Sequence, residues 1–142
     1  MKTLTKPAII VSTVTLLAFY LALSGCAQQK MQRYGSVIGL KSEKIEEYKR
    51  LHADVWPDVL DMIKQCHIQN YSIYMRRLED GRTYLFSYLE YIGNDFNADM
   101  AKMTADSTTQ KWWDVCKPCQ EPLADRSTGA WWADMEEVFH LD

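Results

Sequence analysis

Tyr48, His52 and Trp56 follow one another at intervals of four in the run Glu-Glu-Tyr-Lys-Arg-Leu-His-Ala-Asp-Val-Trp-Pro. An α-helix would bring all three to one face. A phenol, an imidazole and an indole side by side offer a hydrogen-bonding hydroxyl, a group that gives and takes a proton near neutral pH, and a flat apolar wall. That combination suits a polyhydroxylated ring, which needs polar contacts at its edges, an apolar contact on its face and an acid–base group for any proton transfer.

The surrounding elements must hold these groups in place. Tyr34 to Leu40 carries Val37, Ile38 and Leu40 and reads as a first strand, and Ser42 followed by Glu43 and Glu46 reads as a helix start. Pro57 disfavours helical geometry at Trp56, so the helix should break there and resume through Val59, Leu60, Met62 and Ile63. Asn70 to Arg77 alternates Tyr71, Ile73 and Met75 with Ser72, Tyr74 and Arg76; Asp80-Gly81 supplies a turn before Thr83 to Tyr91, giving a β-hairpin. Asn97 to Met103 and Asp106 to Val115 read as helices, the second opened by an Asp-Ser-Thr-Thr cap and ending near Trp112-Trp113. Cys116 to Ala130, with Pro118, Pro122 and Gly129, reads as a long loop, and Met135 to Leu141 as a closing strand.

The order β-α-β-β-α-β predicts an α+β, ferredoxin-like domain over residues 34–142, an antiparallel sheet with its helices on one face. The other face must be covered, and a second copy of the chain would do so, giving a dimeric α/β barrel. With 142 residues, 47% hydrophobic and 25% charged, the chain has room for one such domain.

Five blocks then stand out: Glu-Tyr-x3-His-x3-Trp-Pro at 47–57, Asn-Tyr-Ser-Ile-Tyr at 70–74, Phe-Ser-Tyr-Leu-Glu at 86–90, Gln-Lys-Trp-Trp at 110–113 and Glu-Val-Phe-His-Leu at 137–141. In this order they resemble the L-rhamnose mutarotase family, over Arg33 to Leu141. The resemblance implies an isomerase that interconverts the α and β anomers of a deoxyhexose, L-rhamnose above all, without metal or organic cofactor, as a homodimer. It also implies roles: His52 as proton donor, and Tyr48, Tyr71, Trp112 and Trp113 as contacts to the monosaccharide.

Chemistry makes a parallel demand. Mutarotation opens a hemiacetal by protonating the ring oxygen while the anomeric hydroxyl loses its proton, and recloses it after rotation. Histidine, with an ordinary pKa of about 6.5, suits that exchange, and matched acid–base catalysis contributes about 10²- to 10⁴-fold. The partner group stays open among Tyr48, Tyr71, Glu137 and water. Set against this, a helical His is more often structural than catalytic, and a Trp pair is more often one core and one surface residue than a stacking platform. Trp131-Trp132, outside the five blocks, takes that plainer reading. Tyr74, Tyr84, Phe86 and Tyr88 read as core and sheet residues, and Glu43, Glu46 and Glu47 with Lys49 and Arg50 as a solvated helix face.

His140 stands where the family pattern has an aromatic residue, and is either a second acid or base or, as favoured here, structural. Cys116-Lys-Pro-Cys119 permits redox or metal chemistry. A metal would need two further ligands, and only Cys66 with His67 stands spare, at no convincing spacing. A Cys116–Cys119 disulfide, or one involving Cys66, is the expectation in an oxidising compartment. A thioredoxin-like role is disfavoured because the motif follows a helix instead of opening one.

At the N-terminus, Lys2 and Lys6 precede an apolar stretch from Ala8 to Leu23 that ends in Leu23-Ser24-Gly25-Cys26. This pattern reads as a secretory signal over residues 1–25, and its end resembles the lipobox of bacterial lipoproteins, with Cys26 lipidated and residues 26–33 a polar tether. The stretch is short and too diluted by Ser12, Thr13 and Thr15 for a membrane span. Removing it takes away two of 16 basic and none of 19 acidic residues, so the remainder is distinctly acidic. Nucleic acid is thereby disfavoured, and no basic cluster favours anionic lipid, leaving the N-terminal lipid anchor as the membrane contact, in the cell envelope. Two other functions stay in competition: a sugar-binding lipoprotein without turnover, and a cofactor-dependent monooxygenase on the same barrel scaffold.

Overall fold

The structure, a computed structural model, describes residues 31–141. The signal-like segment, Cys26 and most of the tether lie outside the described residues. Strand β1 (Gln32–Leu40) leads through a short 3-10 turn (Ser42–Lys44) into helix α1 (Ile45–Ala53) and helix α2 (Pro57–Gln65). Strands β2 (Ile68–Arg77) and β3 (Thr83–Tyr91) form the hairpin. Helices α3 (Phe96–Ala105) and α4 (Ser107–Cys116) follow, then a 3-10 turn (Lys117–Cys119), strand β4 (Gln120–Glu121) and strand β5 (Ala133–Met135).

The sheet is antiparallel in the order β2-β3-β1, with β4 and β5 both on the free side of β1. β4 pairs with Gly39 and Leu40 and β5 with Gly35 to Val37, so two short pieces share the place of the fourth strand. This is the ferredoxin-like arrangement expected from the element order. β1 begins at Gln32, two residues inside the stretch read as tether, because Gln32 and Arg33 continue its ladder opposite Tyr91 and Glu90.

Alternation along the strands sends Ile38 and Leu40 of β1, Leu85 of β3 and Ile73 of β2 to the helix side, where they pack with Tyr48 of α1. Val37 pairs with Phe86, and Phe86 with Tyr74, in a row on the opposite face. Tyr74 is 64% exposed there, so these aromatic residues belong to the sheet but not to the core.

The closing strand is shorter than the sequence suggests. After Met135 the chain leaves the sheet, and Val138, Phe139 and Leu141 are about four-fifths exposed or more. The pairing with β1 covers only Gly35 to Val37, although β1 itself runs on to Gln32. His140 and Glu137 lie in this exposed tail and not in a ladder.

The expected disulfides are absent. Cys66, Cys116 and Cys119 are free, buried thiols. Each packs into a different apolar cluster: Cys119 with Ile38 and Tyr48, Cys66 with Ile68 and Tyr91, Cys116 with Val59 and Trp112. Burial pushes the Cys116 thiol up to about 12, so it is a poor nucleophile near neutrality.

Among the described residues no helix is long and apolar enough to cross a membrane.

Candidate active site

Helix α1 provides the centre of the site. Tyr48 and His52 are one turn apart, and their rings stack with centroids 4.0 Å apart and planes 27° from parallel. His52 Nδ1 lies 3.0 Å from the carbonyl oxygen of Tyr48. A carbonyl only accepts, so Nδ1 carries the proton in this bond and the lone pair of the neutral ring is on Nε2. Desolvation of the half-buried ring lowers the His52 pKa, and the bond to the carbonyl offsets part of that shift. Near neutral pH His52 is therefore an uncharged base whose free nitrogen is Nε2.

Tyr48 is nearly all buried, at 4% exposure, with its ring in the apolar cluster of Ile38, Leu40 and Leu85. No hydrogen-bond partner satisfies its hydroxyl. Burial raises its pKa strongly, and the neighbouring Tyr71 adds to the rise. The group stays a neutral phenol and can act only through hydrogen bonds.

Tyr71 reaches the same region through a distortion of β2. The pairing of β2 with β3 shifts register between Gln69 and Ser72, and Asn70 adopts a left-handed backbone with φ 48°. Asn70 Nδ2 and Gln69 Nε2 both donate to Glu90 Oε2, at 2.5 and 3.0 Å, which fixes the bulge. The shift of phase turns Tyr71 toward the helix layer along with Ile73. The Tyr71 residue is 43% exposed, yet burial raises its hydroxyl's pKa. The two observations agree if the side chain lines a recess open to solvent, with the hydroxyl at its inner end; there the Cys116 sulfur also raises its pKa.

Helix α4 closes the cluster. Asp106 Oδ2 accepts from the Thr109 N–H at 2.7 Å, an N-cap that starts α4, and Trp112 then meets His52 edge-on at 5.4 Å between centroids. Trp56 meets the same indole at 5.4 Å. Trp56 thus joins the cluster, though not by the helical stripe its spacing suggests. The helix ends at Ala53, and Trp56 has an extended ψ of 132° ahead of Pro57, so it reaches Trp112 instead of continuing the Tyr48–His52 stack.

Trp113 takes a neighbouring position. One residue on is about 100° around a helix, and it packs on the cluster of Cys66, Ile68, Tyr91 and Met103 as well as on that of Val59, Trp112 and Cys116, with Lys117 Nζ 5.9 Å above its ring. Among the described residues no ring contact joins it to His52. Tyr48, His52, Tyr71 and Trp112 are gathered in one region, with Trp113 on its flank.

Gln120 and Trp131 were not legible as site residues. Gln120, at 7% exposure, is near enough to lower the pKa of the Tyr48 hydroxyl, and its Oε1 accepts from Trp131 Nε1 at 2.7 Å. They lie in a segment without periodicity; the only signal would have been a buried amide, and burial is not readable from residue types there. Trp132 packs on the core cluster of Ile38 and Tyr48, so the pair is one core and one half-exposed residue.

Among the described residues no group of three or more His, Cys, Asp or Glu is placed to hold a metal ion. A shallow groove bounded by Leu40, Lys41, Ser42, Glu43, Arg82 and Glu121 opens elsewhere. Arg82 and Glu121 pair with each other across it at 3.1 Å, and it shares no residue with the aromatic cluster.

The arrangement gathers a neutral base, two phenols and an indole in one region. The profile of the L-rhamnose mutarotase family matches residues 33–141. An L-rhamnose mutarotase of Bacillus subtilis is 35% identical over 112 residues, which are 79% of this chain and the whole of that protein. The L-rhamnose mutarotase of Oceanobacillus iheyensis is 32% identical over the same shares of both chains. Among solved structures, the L-rhamnose mutarotase of Formosa agariphila superposes with a TM-score of 0.58 at 22% identity, covering 78% of this chain and 99% of that one. The tetracenomycin F2 cyclase of Streptomyces glaucescens reaches a TM-score of 0.55 at 13% identity, a likeness of fold alone. With this match across the whole described domain, the chain belongs to the L-rhamnose mutarotase family.

Proposed function

We propose that this protein interconverts the α and β anomers of L-rhamnose by opening and reclosing the pyranose ring, with His52 as the proton-transferring residue. The observation that supports this most directly is the bond from His52 Nδ1 to the Tyr48 carbonyl, which leaves Nε2 as the free base beside the Trp112 wall. In the opening step Nε2 takes the proton of the anomeric hydroxyl, the ring C–O bond breaks, and the ring oxygen takes a proton from the Tyr71 hydroxyl or water. The aldehyde carbon then turns about its bond to the next carbon. On closure the ring oxygen's hydroxyl attacks the other face and returns its proton to the donor, and the imidazolium gives its proton back to the anomeric oxygen. The donor role that the family resemblance implies for His52 is the closing half of this cycle.

Tyr48 and Tyr71 hold sugar hydroxyls, and Trp112 stacks on the ring's apolar face, with Trp113 bracing it from the flank. The reaction needs no electron transfer and no metal-activated water, so the chemistry is complete with side chains alone.

The protein is a homodimer in this reading. The uncovered row of Val37, Phe86 and Tyr74 and the exposed apolar tail through Val138, Phe139 and Leu141 are surfaces that a second copy would bury. The N-terminal segment, which precedes the family match, marks a lipoprotein anchored through Cys26 in the cell envelope; loss of radiolabelled fatty-acid incorporation in Cys26→Ser would support it, and unchanged labelling would overturn it.

The function is tested by saturation-transfer NMR on L-rhamnose with the wild type and His52→Ala. Accelerated anomer exchange that disappears in the variant is the expected result. A wild type that binds L-rhamnose without accelerating exchange would point instead to a sugar-binding protein.

A further inference from the structure

Between the pairs Gln69–Glu90 and Ser72–Tyr88, β2 has two residues, Asn70 and Tyr71, where β3 has only Leu89. That is the count of a β-bulge. Its consequence is a change of phase. Ile68 and Ile73 both pack on the helix side of the sheet, although an even- and an odd-numbered residue of one regular strand face opposite ways. Tyr71 follows the bulge and shares the phase of Ile73. In an unbroken register with Ile68 it would point away from the helices that carry Tyr48 and His52.

The bulge is held from the other face of the sheet. Gln69 and Asn70 are consecutive, yet both side chains donate to one carboxylate oxygen, Glu90 Oε2, at 3.0 and 2.5 Å. Neighbours in a regular strand point to opposite faces, so this shared acceptor selects the bulged backbone, with Asn70 in the left-handed region at φ 48°. Glu90 Oε1 accepts from the Tyr88 hydroxyl at 3.0 Å, and Arg33 stands opposite Glu90 in the ladder with β1. The bond from Gln69, with those from Asn70 and Tyr88, lowers the Glu90 pKa, so the acceptor is ionised near neutrality.

From this geometry we infer that Glu90 is a positioning residue of the site: by holding Gln69 and Asn70 on the far face of the sheet it keeps the bulge in β2 and turns Tyr71 toward the sugar. The inference rests on the reading of Tyr71 as a sugar contact. Glu90 acts on the sugar only through Tyr71, so its effect on the reaction must disappear when the Tyr71 side chain is removed.

The test is a double-mutant cycle on the full chain with Glu90→Ala and Tyr71→Ala, reading anomer exchange of L-rhamnose as kcat/KM and the unfolding midpoint of each variant. Glu90→Ala is expected to lower kcat/KM about threefold to tenfold, the range of one hydrogen bond, and to change it no further once Tyr71 is Ala. Glu90→Gln keeps an amide oxygen that can accept from both Gln69 and Asn70, and should restore most of the loss. Glycine adopts the left-handed backbone freely, so Asn70→Gly should cost less than Asn70→Ala, which lacks both the hydrogen bond and the tolerance of positive φ. Should Glu90→Ala fail to fold, Gln69→Ala takes its place in the cycle; it removes one donor and is expected to give a smaller loss that also vanishes in the Tyr71→Ala background. No loss, or equal losses with and without the Tyr71 side chain, would overturn the positioning role while leaving the mutarotase reading in place. A Tyr71→Ala enzyme as active as the wild type would remove Tyr71 as a sugar contact, and the role of Glu90 with it. A wild type that accelerates no exchange would instead refute the mutarotase reading itself.

Discussion

The His52 ring lies stacked on the Tyr48 ring at 4.0 Å, while its Nδ1 is bonded to the carbonyl of that same tyrosine at 3.0 Å. One residue thus sets both the tilt of the imidazole and its tautomer. A base whose hydrogen is spent on its own helix does not turn to present the other nitrogen, so the proton is taken at a fixed point.

This relationship fixes a pH dependence. Only the neutral ring offers the Nε2 lone pair, and desolvation holds the His52 pKa below its ordinary value of about 6.5. The exchange rate should be flat through neutrality and fall as the pH drops through a midpoint below 6.5. The same shift affects folding: the unfolded chain binds this proton more readily than the folded one, so the stability contribution is complete above the ordinary pKa and erodes as pH falls. A rate that rises on acidification would show that the imidazolium is the resting form required. His52→Ala should cost about 10²- to 10⁴-fold in rate, measured by NMR anomer exchange.

Tyr48→Phe separates function from stability. The buried hydroxyl has no partner in the free protein, and such a group costs about 1–3 kcal/mol. Its removal keeps the ring in the core, so the variant should unfold at equal or higher temperature while exchange slows. A lower midpoint by calorimetry would show that the hydroxyl is satisfied in solution.

Gly93 lies where β3 passes into the loop before α3. A Cβ there would run into the Tyr91 hydroxyl and ring and into Asp99 Oδ2 at 2.7 Å. That hydroxyl donates to Asp99 Oδ2 at 2.7 Å and accepts from the Asp95 N–H at 2.9 Å, while His67 Nδ1 lies 2.8 Å from the same carboxylate oxygen. The fully buried Tyr91 ring has no room to yield. Gly93→Ala should destabilise the fold by about 1–3 kcal/mol in chemical denaturation, with the rate per folded molecule unchanged.

The exposed row of the sheet predicts an assembly phenotype. Phe86 is half-buried between Val37 and Tyr74 on the face opposite the helices. Phe86→Lys places a charge where a second copy would pack, and should convert a dimer of the wild type into a monomer by light scattering at micromolar concentration. A wild type already monomeric at that concentration would remove the dimer from the account.

What the sequence determined is what short-range geometry enforces. Tyr48 and His52 are four residues apart on one helix, and both their stacking and the Nδ1 bond form within a single turn, whatever the rest of the chain does. The break at Pro57, the Asp106 cap and the Asp80-Gly81 turn are equally local, as is the order of elements that gives the sheet its topology. The tertiary structure decided what joins distant segments. Trp56 reaches the site through Trp112, because the extended backbone before Pro57 takes it off the helical stripe. Tyr71 is aimed by a bulge whose anchor, Glu90, lies on another strand. The last strand stops at Met135, where its pairing with β1 ends at Gly35 although β1 itself runs on to Gln32, a limit no β-propensity in Val138 or Phe139 can reveal. The three thiols stay apart because the packing assigns each to a different cluster, although Cys116 and Cys119 are close in sequence. Gln120 acquires its place from Trp131, eleven residues on in an aperiodic loop; a contact of that kind is set by packing, and residue types at those positions carry no sign of it.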